Sequence, residues 1–379
     1  MHRHRIILAV RTLLVFLATI LPGKAFCSDY SALRTLIRNA IRDSVFPGAS
    51  IAVVYGNHVV FQEAFGRMTY ESSSRPASTE TLYDLASLTK AVCTTSIVMQ
   101  LSERDSLSIQ APVGRYLPDF AANGKKAVTL ENLLRHTSGL RAHSYFAKTC
   151  RTPEQVYRAI YADTLLCPPN TATIYSDLGF ITLGKIIETV TGKSLASNFH
   201  ERFAVPLGMN STMFNPPLSL ADRIAPVEQD HDWPLSTPRP TVHDQNAALL
   251  GGAAGHAGLY STTGDLARFV MMIMNGGKLE GRTYIGGTTL GKFLSHPEGV
   301  RALGWDVRSP GSSSSAGTIF SAASYGHLGY TGTSIWIDPT KNLAVIFLCN
   351  RVYPTSENIK IRKFRPVLHD TVVRCLGIR

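Results

Sequence analysis

The spacing of apolar residues changes along the chain, and the changes mark out its elements. In residues 31–44, Leu33, Leu36, Ile37, Ala40 and Ile41 recur every three or four positions, which predicts an amphipathic helix stopped by Pro47-Gly48. Residues 49–55 and 58–65 then read as two strands joined at Gly56-Asn57, an antiparallel hairpin. A polar loop fills 67–81. No glycine or proline follows between residues 77 and 111. There Leu88, Ala91, Val92, Cys93, Ile97, Val98, Met99 and Leu101 cover most of a helical circumference, as in a helix inside a core. Helical signals continue to about residue 213. A short helix opens at Thr129. Another has Thr152 as N-cap, Pro153 in its first turn and Gln155 closing a capping box, and is broken by Pro168-Pro169-Asn170. A third spans 178–191 and stops at Gly192. Residues 215–240 are proline-rich and irregular. A helix over 264–275 ends at Gly276-Gly277. Strands return at 333–338 and 343–350 around a turn at 339–342, and a last helix covers 365–376.

Strands therefore lie at both ends and helices between them. This order predicts an α+β fold. An antiparallel sheet is built from the terminal segments, about 28–85 and 255–379, and flanked by helices. A mainly helical region, about 86–254, is inserted between them. A cleft is expected where the two regions meet, and the helix beginning at Ser87 starts there.

Composition narrows the class. The chain has 379 residues, 44% hydrophobic and 17% charged, which suits a globular protein with a sizeable core. Residues 1–27 form a basic start, an apolar run over 12–21 and then Pro22-Gly23-Lys24-Ala25. That is the shape of an export signal cleaved after Ala25 or Cys27, leaving one domain over 28–379 in the periplasm or cell envelope. The formal charge is +11, and Arg3, Arg5, Arg11 and Lys24 of the leader account for four of it. A moderately basic remainder suits association with an anionic membrane surface or cell wall. No nucleic-acid motif accompanies the charge. The six cysteines show no zinc spacing; Cys93 and Cys349 read as core thiols, while a bridge between Cys150 and Cys167 stays open. His231, Asp232, His243, Asp244 and His256 match no helical metal motif and read as polar loop residues. The Gly- and Ala-rich residues 247–258 lack the spacing of a phosphate loop.

The candidate chemistry begins at Ser87-Leu88-Thr89-Lys90. On a helix, positions three apart share a face, which sets the Lys90 amine beside the Ser87 hydroxyl. A serine needs a neighbouring base to become a nucleophile. Lysine serves only if burial or nearby positive charge lowers its pKa. Taken by itself, the tetrad also describes an ordinary helix start. Tyr175 stands just before a helix, in Tyr175-Ser176-Asp177. A tyrosine beside a nucleophile can pass a proton to a leaving group. The alternative is a packed tyrosine with Ser176 or Asp177 capping the helix. Gly326, Gly329 and Gly332 precede a strand, where they let a substrate lie against its edge and free a backbone N–H for an oxyanion. A merely flexible strand entry would look the same.

In this order the three elements resemble the serine penicillin-recognising superfamily, and most of all its class C β-lactamase, DD-peptidase and esterase branch. The resemblance spans about residues 31–376. It includes His136-Thr137-Ser138-Gly139-Leu140, Pro206-Leu207-Gly208-Met209, Gly258-Leu259-Tyr260-Ser261-Thr262 and Trp336-Ile337-Asp338-Pro339. It implies the β-lactamase/transpeptidase-like fold, with Ser87 as nucleophile, Lys90 as its base partner and Tyr175 as proton shuttle. His327-Leu328-Gly329 stands where relatives carry Lys-Thr-Gly or His-Thr-Gly. The oxyanion hole would be the N–H groups of Ser87 and Tyr330. The implied cycle is an acyl-enzyme formed from an amide, lactam or ester, either a small molecule or a peptidoglycan peptide, with no metal or organic cofactor. Two departures stand out. Asp177 occupies a common asparagine position, and an ionised aspartate cannot donate to a substrate carbonyl. His327 replaces the lysine of true β-lactamases, so carboxylate anchoring should weaken or favour lower pH. Both move the expectation from β-lactamase toward DD-carboxypeptidase or esterase. A non-catalytic penicillin-binding, peptidoglycan-binding or sensor module is the reading from another class, and Ser87, Lys90 and Tyr175 together argue against it.

Overall fold

A computed structural model describes residues 29–229, 242–296, 301–309 and 314–378. The export signal, His231 and Asp232 lie outside the described residues.

The central sheet has six antiparallel strands, in the order His58–Gly66, Gly48–Tyr55, Leu343–Cys349, Ser334–Asp338, Tyr325–Leu328 and Asp306–Val307. The two ends of the chain meet in its middle, where Ala49 pairs with Cys349 and Tyr55 with Leu343. Gly56 and Asn57 both take positive φ, as a two-residue hairpin turn requires. Side chains alternate between two buried faces. Ile51, Val53, Trp336, Val345 and Phe347 pack under the terminal helices Ser31–Arg42 and Ile361–Cys375. Ala52, Val54, Ile335, Ile337, Ala344 and Ile346 face the helical region. A sheet covered on both sides gives near-continuous apolar runs, which is why 343–349 shows no alternation.

The helical region includes Ser96–Glu103, Leu130–Arg135, Pro153–Ala162, Asp177–Thr191 and, packed across the sheet's inner face, Thr263–Met274. A three-stranded sheet of Tyr83–Asp84, Leu259–Ser261 and Met213–Phe214 links the two regions. Among the described residues no helix is long and apolar enough to cross a membrane.

Several expectations need correction. The Thr152 hydroxyl does accept from the Gln155 N–H, but the Gln155 side chain takes the N–H of Arg151, so no capping box closes there. The box sits at Thr129 and Asn132 instead. The Pro153 helix ends at Ala162, well before the prolines. The last helix begins at Ile361 and carries Pro366 inside it. The bridge between Cys150 and Cys167, left open by the sequence, is not formed here: both are free thiols.

The glycine-rich strand entry is fastened to the segment just before Ser87. Thr331 Oγ1 donates to the Asp84 carbonyl at 2.6 Å, and Thr333 Oγ1 to that of Leu85 at 3.0 Å. Arg365 reaches from the last helix to the carbonyls of Gly329 and Thr333. A Cβ on Gly329 would collide with the Leu85 carbonyl oxygen and the Thr333 hydroxyl. Gly329→Ala should therefore lower stability by about 2 kcal/mol, read by urea unfolding. An unchanged midpoint would show that the two segments can separate freely.

Candidate active site

The serine is presented by a strained turn. Ala86 has φ +47, unusual for a residue with a Cβ. The buried Asp84 carboxylate holds that turn, accepting from the Ala86 N–H at 2.8 Å and the His243 N–H at 2.7 Å. Burial pushes its pKa up against those two hydrogen bonds. After Ser87 the chain enters a π-helical stretch, Lys90–Thr95, before the regular helix. The sequence predicts one continuous helix here. The wider turn is closed by Thr95 Oγ1, which donates to the Lys90 carbonyl.

Lys90 is fully buried, and its ammonium finds three acceptors. They are Ser87 Oγ at 2.9 Å, the His256 carbonyl at 3.1 Å and Asp177 Oδ1 at 2.7 Å. Three acceptors match its three donors. Burial pulls its pKa down, but the Asp177 charge, helped by Tyr175, more than reverses this, so the net shift is upward. Burial alone would favour the neutral amine expected of a base, and the Asp177 counter-ion works against it. Asp177 is held well below the usual carboxylate range: burial opposes ionisation, and Lys90 and His143 outweigh it. His143 Nδ1 donates to Asp177 Oδ2 at 3.2 Å, and this bond raises its pKa despite partial burial. Asp177 is thus a counter-ion, and the capping of helix Asp177–Thr191 falls to Ser176, whose hydroxyl accepts from the Gly179 N–H.

Tyr175 lies against this group. Its ring centroid is 4.9 Å from Lys90 Nζ, and ring-to-ring distances are 4.5 Å to His136 and 6.1 Å to His327. The His136 Nδ1 accepts the Ser176 N–H, and burial with nearby Arg301 and Lys90 keeps the ring neutral. His327 is neutral too. Burial, then Lys90 and Arg301, push its pKa down to about 3. Its Nδ1 donates to the Leu328 carbonyl, and its buried Nε2 has no partner among the described residues. A neutral His327 offers no charge to a substrate carboxylate from this position.

Ser87, Tyr175, Asp177, His143, Glu228 and Tyr330 line one cleft of about 500 Å³. The structure thus brings these residues together, while His327, which is buried, and Gly329 are not among the described residues that line the cleft. The Gly329 N–H is taken by the Thr333 carbonyl, so its part is steric. The N–H groups of Ser87 and Tyr330 have no partner among the described residues. His243 contacts Glu228 and His256 contacts Asp244, each at 2.9 Å, as separate hydrogen-bonded pairs.

The Beta-lactamase family model matches residues 33–366. The chain belongs to the β-lactamase family. A family relative from Escherichia coli (strain K12), named "Putative D-alanyl-D-alanine carboxypeptidase", is 31% identical over 344 residues, covering 82% of this chain and 79% of its own. A solved penicillin-binding protein homolog from Caulobacter crescentus has a TM-score of 0.73 at 22% identity, covering 91% of this chain and 97% of its own. A family VIII carboxylesterase has a TM-score of 0.70 at 23% identity, with the same two coverages. The fold is that of the serine β-lactamases and penicillin-binding proteins, and the chain is a member of this hydrolase family. Within it, sequence reasoning missed the roles of Asp84, His136 and His143. Only His136 had a local signal, in the His-Thr-Ser-Gly-Leu stretch.

Two outcomes follow from the electrostatics. Asp177→Asn removes the carboxylate from a buried ammonium, and stability at pH 7 should fall by on the order of 3 kcal/mol in urea unfolding. A loss below 1 kcal/mol would mean the pair contributes little. The His143–Asp177 contact has the opposite pH signature from a carboxylate alone. The folded His143 pKa is raised, so its contribution is full below about pH 6.5 and disappears as pH rises through the elevated value. The stability gap between wild type and His143→Gln should be larger at pH 5.5 than at pH 9. It should stay under about 1 kcal/mol, because the ring is one-third exposed.

Proposed function

We propose that the protein is an exported serine hydrolase working through an acyl-enzyme on Ser87. The observation that carries this is the 2.9 Å contact between Ser87 Oγ and Lys90 Nζ at the floor of a cleft that Tyr175 also lines. With Lys90 held as an ammonium, Tyr175 acts in its phenolate form and takes the proton, becoming the phenol, as Ser87 Oγ bonds to the substrate carbonyl carbon. Tyr175 then returns the proton to the leaving oxygen or nitrogen. Water reverses the sequence and frees Ser87. The Ser87 and Tyr330 N–H groups receive the negative charge on the carbonyl oxygen. Lys90 orients Ser87 and lends positive charge.

The substrate is a small ester or amide with no dependence on a terminal carboxylate, because no lysine or arginine is among the described residues lining the cleft and His327 is neutral. A D-alanyl-D-alanine peptide is the second reading, favoured by the name of the 31%-identical relative. β-Lactams, whose carboxylate wants a cation, come last. The composition of residues 1–27 supports export to the periplasm or envelope, with attraction to the anionic surface there.

The test is intact mass and turnover with a fluorescent penicillin, a D-alanyl-D-alanine peptide and an activated ester. Ester turnover should exceed the other two. Ser87→Ala should abolish it, and Lys90→Ala and Tyr175→Phe should each reduce it by about 10² or more. A folded wild type with neither adduct nor turnover would make the protein a binding or sensor module instead.

A further inference from the structure

The position of His327, where the resemblance implies a lysine or a histidine, holds an uncharged ring here. His327 is buried, and its Nδ1 is committed to the Leu328 carbonyl. Yet a second cation does stand beside Tyr175, delivered by another part of the chain. The Arg301 guanidinium carbon is 5.7 Å from the Tyr175 ring centroid. Arg301 is pinned on two sides. One Nη ion-pairs with Asp306, and Arg135 donates to its carbonyl. Its Nε is buried and has no partner among the described residues, so one edge of the guanidinium is not committed.

We propose that Arg301 is a positioning residue for Tyr175, its guanidinium supplying beside the ring the positive charge that stabilises the phenolate form that takes the Ser87 proton. This rests on the reading of Tyr175 as the proton carrier. The charged and titratable groups around the ring leave Arg301 a distinct place. Lys90 shares its charge with Asp177, which is also held by His143. His136 and His327 are neutral at working pH. Asp306 offsets part of the Arg301 charge, and arginine keeps its proton under all working conditions. A lysine at 327 would have done the same work from the strand. Arg301 does it from the segment leading to the edge strand Asp306–Val307.

The direct readout is the ionisation of Tyr175 followed by NMR on protein carrying ¹³Cζ-tyrosine, assigned with Tyr175→Phe. Arg301→Gln should move that ionisation to higher pH by about one unit or more, and Arg301→Lys should largely restore it. Asp306→Asn should move it the other way, which keeps the test open if Arg301→Gln does not fold. In activated-ester hydrolysis, Arg301→Gln should shift the acid limb of kcat/KM upward in parallel and reduce it about tenfold at pH 7. In a Tyr175→Phe background the same substitution should add no further loss. An unmoved Tyr175 titration in both the arginine and the aspartate variants overturns the proposal, even if Ser87-dependent turnover is intact. Absent turnover in the wild type would sink the hydrolase reading alone, and the NMR titration would still decide the role of Arg301.

Discussion

The ion pair between Lys90 and Asp177 is the constraint on which the site is built. An ammonium inside a protein loses its hydration, at an effective penalty of several kcal/mol, unless acceptors replace the water. Here the replacements come from three separate places: the serine beside it, the carbonyl of His256, and the carboxylate that opens helix Asp177–Thr191. Each acceptor belongs to a different stretch of chain. Satisfying one buried charge therefore brings the serine turn, the middle helix and the Gly- and Ala-rich loop to one point. The glycines of that loop make the approach feasible: a Cβ on Gly255 would run into the Phe180 carbonyl.

The same pair decides how charge is divided among the site's titratable groups. Asp177 keeps Lys90 protonated, burial reinforced by Lys90 and Arg301 keeps His136 and His327 neutral, and His143 gains its proton more readily than a free histidine. Neighbouring groups pushed in opposite directions mark sites that move protons. In the proposed mechanism Tyr175 is the group that carries one. The neutral His327 also explains why substrate anchoring by a carboxylate does not follow from the fold, even though the fold is shared with β-lactamases and penicillin-binding proteins.

Local rules carried much of the architecture. The hairpin at Gly56-Asn57, the helix stop at Gly192 and the strand pair around residues 339–342 depend on neighbours in sequence and were legible there. The serine-lysine spacing was legible too, since three residues set it. What could not be read was tertiary. Asp177 looked like a lost hydrogen-bond donor because its partner lies in another element. For Lys90, burial was visible in the apolar pattern and its counter-ion was not. Arg301 and His143 carry no local pattern at all. The capping box failed at Thr152 because the Gln155 side chain had a competing N–H one residue away, at Arg151.

The most direct measurement is the protonation state of the Lys90 side chain, by ¹⁵N NMR on protein labelled at lysine Nζ. An ammonium signal that persists to pH 9 and slows its hydrogen exchange is the expected result. A neutral amine at pH 7 would contradict the account, returning the role of base to Lys90 and reducing Asp177 to a bystander.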